Sequence, residues 1–516
     1  MSLNLAHYLD ISAQRYPEKT ALMLDEFRMT YRDLAVAAKR VAHVLRDKGV
    51  KKGDKVAMMI PNVPYFPAIY YGILNVGATV VPVNTLLKSQ EIQYYLEDSD
   101  AVVFFTWKDF YGESAKAFNE ANTCQHLIVV TPPGDIEVPL EAESFADLVE
   151  SAPATFEMVQ TMPDDTAVIL YTSGTTGHPK GAELTHFNMF FNALCTKDQI
   201  CRVRPDDVGL VVLPLFHSFG QTCLQNTCLL AGATMTLLTQ FQTEKALEVI
   251  QRDKVSFIAA VPTMYFFMLH ANHSGAYDLS SIRMAVSGGA ALPVEILHQF
   301  EQRFSIRILE GYGLSETSPV ASFNLVERPS KPGSIGLPIW GCDMKIMRED
   351  GTFAEIGEVG EIVVRGHNIM KGYYKKPLAT AEAIVDGWFH TGDLAKVDEE
   401  GYFFIVDRKK DLIIRGGMNV YPREIEEVLY AHPAILEASV VGIPDEARGE
   451  EIKAYVALKP GVALTDDEIK AYCLERMARF KCPKEVEILP TLPKGPTGKI
   501  LKRELRLRHA AKTSAT

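Results

Sequence analysis

The sequence lacks the cysteine pattern of a zinc protein and the charge of a nucleic-acid binder. Its eight cysteines are scattered, with no C-x-x-C pair and no histidine at ligand spacing. A zinc site is therefore disfavoured, and free thiols suit a reducing cytosol. Acidic residues outnumber basic ones by 65 to 53, and the net charge of −12 argues against general binding of nucleic acid. We therefore expect a cytoplasmic protein that binds no nucleic acid.

A long uninterrupted apolar run is also absent. The most apolar stretch, residues 65–83, contains Pro67, Gly72, Gly77 and Pro82. These residues predict a buried helix, a turn and a buried strand rather than a membrane span. The first 19 residues carry scattered charges and no apolar core, so no signal peptide is expected.

Length and patterning predict an α/β protein with more than one domain. A chain of 516 residues is too long for a single core. Strand-like and helical patterns alternate until about residue 357, after which short strands separated by glycine and charge predominate. We predict a large N-terminal domain of α/β sheet subdomains plus a β-rich lobe, followed by a small α+β C-terminal domain. The charged stretch 407–411 is interpreted as the linker.

The stretch YTSGTTGHPKG, residues 171–181, has the composition of a phosphate-binding loop. It follows the apolar run 167–170, and Thr185 can cap a helix just beyond it. Glycines let backbone N–H groups approach an anion, hydroxyls donate hydrogen bonds and Lys180 supplies charge. The common nucleotide P-loop does not fit, because Pro179 precedes Lys180 and Gly181 follows it. A kinase or GTPase of that class is therefore disfavoured.

Three further stretches contain residues suited to binding a nucleotide. In EGYGLSET, the ring of Tyr312 can stack on a base, and Ser315 and Glu316 can hold a phosphate oxygen and magnesium. In FHTGDL, the carboxylate of Asp393 can accept both hydroxyls of a ribose. Lys499 lies in the Pro/Gly-rich stretch PKGPTGKILK. Taken singly, each also fits a turn residue or a solvated lysine.

Together these motifs resemble the AMP-forming acyl-CoA synthetases of the adenylate-forming superfamily. YTSGTTGHPKG, GYGLSET, HTGDL, DRKKDLIIRGGMNVYPREIE and PTGK occur in that family's order and spacing, and the resemblance covers residues 4 to 508. The segments DRKKDLII and NVYPREIEEVLYAHP are most similar to those of bacterial medium- and long-chain fatty-acid–CoA ligases. The resemblance implies that a carboxylate attacks ATP to give an acyl-adenylate and pyrophosphate. The thiol of CoA then displaces AMP.

The resemblance also implies the residues that bind ATP, Mg²⁺ and the acyl group. Lys499, Glu316 and Lys180 are the expected catalytic residues, with Glu316 holding magnesium and Lys499 bridging the incoming carboxylate and the α-phosphate. Asp393 and Arg408 are expected to bind ribose. The full set expected to bind ATP or AMP is Thr172, Ser173, Gly174, Thr175, Thr176, Gly177, Gly288, Gly289, Ala290, Gly311, Tyr312, Gly313, Thr317, Asp393 and Arg408.

Family members rotate their C-terminal domain between the two half-reactions, and the resemblance implies the same here. The expected domains are residues 1–407 and 412–516, joined by a hinge at 408–411 that contains Lys410. Gly416 and Gly417 match the glycines that let pantetheine pass along a CoA tunnel, where a Cβ would clash.

The acid itself is inferred from the expected acyl pocket. By resemblance His217, Tyr265 and Gly311 belong to that pocket, although His217 also fits a core residue. Amino-acid-activating relatives carry an aspartate that is absent from residues 213–220, and malonate-specific relatives carry an arginine where this chain has Gly311. A fatty acid is therefore expected, because an unpaired buried charge would be costly. An aromatic acid of the 4-coumarate or benzoate type stays open. Other apolar or small side chains expected to wall the pocket are Cys223, Val261, Met264, Ala285 and Ala291.

Two other function classes were weighed. A peptide-synthetase adenylation module would need the missing aspartate and a carrier domain. A non-catalytic membrane-surface binder would use the basic residues between Lys499 and Arg508, which more often form a solvated helix face. The expected partners are therefore the fatty acid, ATP and CoA, with a peripheral membrane contact and a homodimer left open.

Overall fold

The computed structural model describes residues 2–135, 137–139, 142–172, 178–271, 276–495 and 498–513. Two large sheets form the body of the N-terminal domain. Each has parallel strands in its centre and antiparallel strands at an edge. In spatial order the first sheet contains Leu337–Pro338, Val320–Phe323, Ile308–Gly313, Met284–Ser287, Phe257–Ala260, Val208–Val211, Thr234–Leu237, Thr20–Leu24 and Phe27–Thr30.

The second sheet carries Thr172 and Lys180 of the phosphate-loop motif, which pair across two neighbouring strands. In spatial order it contains Gly372–Tyr373, Lys180–Thr185, Thr166–Thr172, Thr79–Pro82, Lys55–Met59, Ala101–Trp107, His126–Val130 and Glu143–Ser144. Buried helices pack between the two sheets, and Gly72 allows one close contact, because a Cβ there would lie 2.5 Å from the side chain of Val41. The stretch 65–83 forms the predicted helix, turn and strand: Tyr65–Asn75, a left-handed Gly77, and Thr79–Pro82.

A β-rich lobe and a small C-terminal unit complete the fold. The lobe is an antiparallel sheet of Cys342–Met347, Gly360–Gly366, Trp388–Val397 and Ile384–Val385, with Phe403–Arg408 also paired to Trp388–Val397. The C-terminal sheet contains Met418–Val420, Ile413–Arg415, Gly449–Leu458 and Ile435–Asp445, with Glu485–Ile488 beside Gly449–Leu458. The predicted fold class, including the β-rich lobe and the α+β C-terminal unit, is confirmed.

Several helices begin with a capping residue, and one of them is the helix that the sequence predicts after Thr185. Thr30 with Asp33, Thr185 with Asn188, and Thr465 with Glu468 each form a reciprocal capping box. The α-helices are His7–Arg15, Tyr31–Asp47, Tyr65–Asn75, Ser89–Ser99, Tyr111–Glu120, Phe145–Ser151, His186–Cys195, Thr227–Ala231, Thr243–Asp253, Pro262–His270, Val294–Phe304, Pro377–Ala383, Pro422–Tyr430, Asp466–Arg476 and Lys502–Thr513. In the part of the chain that the structure describes, no helix combines the length and apolarity needed to cross a membrane.

Two local predictions were wrong. Lys180 was expected in a loop that leads directly to a helix, but it begins the strand Lys180–Thr185, which pairs antiparallel with Thr166–Thr172. Asp393 was interpreted as a turn residue, but it lies within the strand Trp388–Val397 and faces Arg408 across the sheet. In both cases the glycine-rich composition suggested a turn, whereas pairing with a neighbouring strand decides the local structure.

Candidate active site

A cavity of about 490 Å³ lies beyond the carboxyl ends of parallel strands in the first sheet. This edge is where ligands bind in open α/β sheets. The C-terminal unit closes part of the cavity with Lys499, and the hydroxyl of Thr263 lies 3.5 Å from the carbonyl oxygen of Gly498. Of the predicted site residues, the lining contains Thr172, Lys180, His217, Gly288, Gly289, Gly311, Tyr312, Gly313, Glu316, Arg408, Lys410 and Lys499.

One end of the cavity places a cation beside a carboxylate with hydroxyl partners. Glu316 Oε1 accepts hydrogen bonds from Thr172 Oγ1 at 3.1 Å and from Tyr373 Oη at 3.0 Å. The ammonium of Lys180 lies 5.2 Å from the centre of the Tyr373 ring. Such a combination suits a phosphate group with a bound cation. Residues 173–177 of the predicted phosphate loop, which include Ser173, Gly174, Thr175, Thr176 and Gly177, lie outside the described residues.

The next part of the cavity contains a hydrogen-bonded set of aromatic, acidic and basic side chains. Tyr312 Oη donates to Asp393 Oδ2 at 2.6 Å, and Arg408 Nε lies 3.0 Å from Asp393 Oδ1. The charge of Asp393 raises the pKa of Arg408, while burial and Asp393 raise the pKa of Tyr312. Asp393 is buried behind the lining and reaches the cavity through its two partners.

Lys499 and His217 both line the cavity and lie close enough to interact electrostatically. The side chain of Lys499 lines the cavity and is exposed there. Loss of solvation lowers its pKa to about 8, and the charges of Arg408 and Lys410 add to the decrease. Burial and the nearby Lys499 lower the pKa of His217 to about 4. His217 is therefore neutral near pH 7, and its Nδ1 accepts a hydrogen bond from the backbone N–H of Phe219 at 3.3 Å.

The apolar end of the cavity is shaped by two aromatic rings packed on glycine. A Cβ at Gly311 would lie 2.1 Å from the ring of Phe323, and a Cβ at Gly288 would lie 3.2 Å from the ring of Phe219. Both rings line the cavity. The two glycines thus allow the rings to approach the backbone, and the resulting wall carries no charge.

Several predicted residues do not line the cavity. The hydroxyl of Thr317 is bonded within its own short turn, to the backbone of Leu314. Tyr265 is fully buried in the core and donates to the carbonyl of Val286 at 2.8 Å. Val261 lines the cavity as predicted. The remaining residues outside the lining are Ala290, the pocket-wall residues Cys223, Met264, Ala285 and Ala291, and the exposed turn residues Gly416 and Gly417.

The motifs did not reveal several side chains of the lining, among them Tyr373, Phe219 and Phe323. Tyr373 belongs to a short strand with no nucleotide motif, and Phe219 and Phe323 reach the cavity only through packing. A Gly-Tyr pair such as Gly372-Tyr373 is too common to carry a prediction. The hydrogen bond that brings Tyr373 into the site joins it to Glu316, which lies 57 positions away in the chain.

Two protein-family models match most of the chain. The model of the AMP-binding enzymes matches residues 9–374, and that of the AMP-binding enzyme C-terminal domain matches residues 424–499. The chain belongs to the AMP-binding enzyme family. Both matched segments contribute to the cavity, the first with Tyr312 and the second with Lys499. The predicted family is therefore confirmed.

Several AMP-binding enzymes similar to this chain are named as acid–CoA ligases. The chain is 39% identical over 529 aligned residues to a long-chain-fatty-acid–CoA ligase of Bacillus subtilis (strain 168), covering 97% of this chain and 94% of the relative. Its fold matches an anthranilate CoA ligase in complex with anthranoyl-AMP with a TM-score of 0.93 at 29% identity, covering 100% and 98% of the two chains. These relatives support an ATP-using, adenylate-forming acid–CoA ligase activity.

A third relative was solved in two states. MatB from Rhodopseudomonas palustris matches with a TM-score of 0.90 when bound to ATP and 0.79 as the apo protein, at 31% identity and 99% coverage of both chains in each case. Because the identity and coverage are equal, the difference between the two TM-scores reflects a different spatial arrangement of the two MatB structures. This AMP-binding enzyme thus has an arrangement closer to the ATP-bound form of MatB.

Proposed function

We propose that the protein activates a fatty acid as an acyl-adenylate and then transfers the acyl group to CoA, releasing AMP and pyrophosphate. The observation that carries the proposal is the position of Lys499. Its side chain lines the cavity, with Arg408 and Asp393 among its charged neighbours and with His217 close enough to feel its charge. A cation there suits the junction where a carboxylate would meet the α-phosphate of ATP.

In this proposal, different polar side chains bind different parts of the nucleotide. Thr172 and Lys180 bind the β- and γ-phosphates, Tyr312 packs on adenine, and Asp393 with Arg408 binds ribose. Crowded anions make positioning and charge neutralisation the main requirements of the first half-reaction. The neutral His217 adds no charge of its own beside Lys499.

One carboxylate of this site, that of Glu316, is suited to bind magnesium. In the described part of the chain no three His, Cys, Asp or Glu residues are grouped to hold a metal. Mg²⁺ in nucleotide sites typically takes one or two carboxylates and completes its shell with phosphate oxygens and water. Glu316, oriented by two hydroxyls on one oxygen, suits that role. When bound, the ion would neutralise phosphate charge.

The proposal includes rotation of a C-terminal domain, residues 412–516, about a hinge at 408–411. The higher similarity to ATP-bound than to apo MatB supports assigning the present arrangement to adenylation. Gly416 and Gly417 form an exposed turn with positive φ, and in the second arrangement they would line the path of the pantetheine arm of CoA.

Fatty acids are proposed because the acyl end of the cavity is uncharged. The curated relative at 39% identity is named for long-chain fatty acids. A second candidate is an aromatic acid of the 4-coumarate or benzoate type. It is supported by the TM-score of 0.93 with an anthranilate CoA ligase and by the rings of Phe219 and Phe323 on the wall.

A panel of acids tests the proposal. Octanoate, palmitate, benzoate, 4-coumarate, malonate and glycine are compared by acid-dependent ATP–pyrophosphate exchange and by CoA-dependent release of AMP. We expect the highest kcat/KM with octanoate or palmitate. Highest activity with benzoate or 4-coumarate would replace the fatty acid by the aromatic candidate. Highest activity with malonate or glycine, or no exchange with any of the six acids, would contradict the proposal.

A further inference from the structure

Tyr373 lies between two side chains of opposite charge at the phosphate end of the cavity. We propose that Tyr373 is a positioning residue that sets Lys180 and Glu316 for a magnesium-bound triphosphate. The inference deepens the proposed function and rests on it. Three independent features of the structure support it: the hydroxyl contact, the ring contact and the strand pairing that fixes both.

The hydroxyl of Tyr373 orients the carboxylate of Glu316. Tyr373 Oη and Thr172 Oγ1 both donate to Glu316 Oε1, at 3.0 and 3.1 Å. Two donors on one oxygen fix the plane of the carboxylate, while Oε2 takes no part in either bond.

The ring of Tyr373 faces the ammonium of Lys180. The ring centre lies 5.2 Å from Lys180 Nζ, within the range at which a cation is attracted by an aromatic face. Lys180 is flexible and has four side-chain torsions, so a ring that limits its motion lowers the entropy lost when a phosphate binds. One side chain therefore contacts both the expected phosphate ligand and the expected metal ligand.

Strand pairing fixes Tyr373 relative to these partners. Tyr373 pairs with Ala182, two residues beyond Lys180, in the antiparallel register of Gly372–Tyr373 against Lys180–Thr185. The backbone N–H of Tyr373 donates to Thr380 Oγ1 at 2.9 Å. The pairing thus fixes the tyrosine relative to the strand Lys180–Thr185, and the sheet sets its distance from Lys180.

The adjacent Tyr374 is a matched control. Its hydroxyl donates to Asp100 Oδ2 at 2.8 Å, and Lys55 lies 4.9 Å from its ring. It therefore has the same types of contact, a carboxylate and a lysine, but lies outside the cavity lining. A purely structural role for such a contact would give Tyr373→Phe and Tyr374→Phe the same effect.

The first experiment measures nucleotide binding by calorimetry without any acid. ATP is titrated with excess magnesium and again with EDTA, and AMP is titrated separately. Tyr373→Phe should weaken binding of magnesium-ATP roughly tenfold, because a hydrogen bond to a charged group is lost. AMP binding should stay within about twofold, since AMP lacks the phosphates that Lys180 would reach. Tyr373→Leu, which also removes the ring, should weaken ATP binding in EDTA too.

The second experiment is a double-mutant cycle with Thr172→Val, read by the magnesium concentration that half-saturates ATP–pyrophosphate exchange. Because both hydroxyls bond one oxygen, we expect the two losses to be non-additive. Wild-type magnesium dependence in Tyr373→Phe, or equal effects of Tyr373→Phe and Tyr374→Phe, would overturn the inference. A lower melting temperature with equally weakened AMP binding would assign Tyr373 a structural role and would also overturn it. No exchange by the wild type with any acid in the panel would instead contradict the proposed function.

Discussion

Removal of the positive charge at Lys499 should slow adenylation far more than thioester formation. Lys499→Met keeps most of the length and apolar volume of the side chain but removes its ammonium. Within the described part of the chain, that ammonium forms no ion pair, and its nearest titratable neighbours include His217 and Arg408. The variant therefore leaves no buried carboxylate without a partner, and little change in the free energy of unfolding is expected.

The size of the effect follows from the charge that Lys499 carries. With a pKa of about 8, about nine in ten Lys499 side chains are charged at pH 7. Removing one preorganised donor from a developing anion typically costs on the order of 10²–10³ in rate, which is about 3–4 kcal/mol. Water can enter the cavity and screen the charge, so we expect a loss near 10²-fold.

The assay separates the two half-reactions. ATP–pyrophosphate exchange reports adenylation, and acyl-CoA formation from synthetic acyl-adenylate reports the second half. Lys499→Arg, which keeps the charge, should recover part of the exchange activity. Lys470→Met, on an exposed helix of the same unit with ion pairs only to Asp466 and Asp467, should behave as the wild type. An equal loss in both halves, or a large fall in melting temperature, would refute the assignment.

Three further predictions address the pH dependence, the apolar wall and the hinge. The kcat/KM of exchange should be highest below the pKa of Lys499, about 8, and fall above it as the ammonium is lost; a profile that keeps rising to pH 9 would contradict this. Gly311→Ala should reduce exchange at least tenfold, because its Cβ would meet the Phe323 ring at 2.1 Å, and Phe323→Leu should restore part of it in the double variant. Lys410→Pro should lower exchange, because residue 410 is the third residue of the turn 408–411, where proline is disfavoured. A hydrogen bond from the N–H of residue 411 to the carbonyl of residue 408 closes this turn. Unchanged exchange in that variant would exclude this turn from the adenylation arrangement.

The sequence allowed prediction of the α/β class and of much of the site because those signals are local. Capping boxes such as Thr465 with Glu468 need only four residues. The motif residues Tyr312, Asp393 and Lys499 lie far apart in the chain. Each could still be recognised, because the short stretch around it has a distinctive composition. The structure brings Tyr312 and Lys499 into the lining of one cavity and bonds Tyr312 to Asp393.

Other features could not be predicted because they depend on packing between distant segments. The turn expected around Asp393 is a strand, since Phe403–Arg408 supplies the pairing partner. Phe323 enters the site through the missing Cβ of Gly311, and no local pattern marks it. The resemblance implies that Thr317 binds ATP or AMP, whereas in the structure its hydroxyl is bonded to the backbone of Leu314 in its own turn. A motif identifies the residue type, whereas the atoms it bonds depend on the folded backbone.

The strand register also indicates where the proposed hinge must flex. Arg408 ends the strand Phe403–Arg408 and is held by Asp393 at 3.0 Å, so it belongs to the nucleotide side of the cavity. Asp411 is paired at 2.7 Å with Arg506, on the last helix of the C-terminal unit, and would move with that unit. Residues 409 and 410 are the positions left between these two anchors. If the proposed rotation keeps both ion pairs, the backbone between these two anchors has to change φ and ψ, and we therefore expect the pivot beside Lys410.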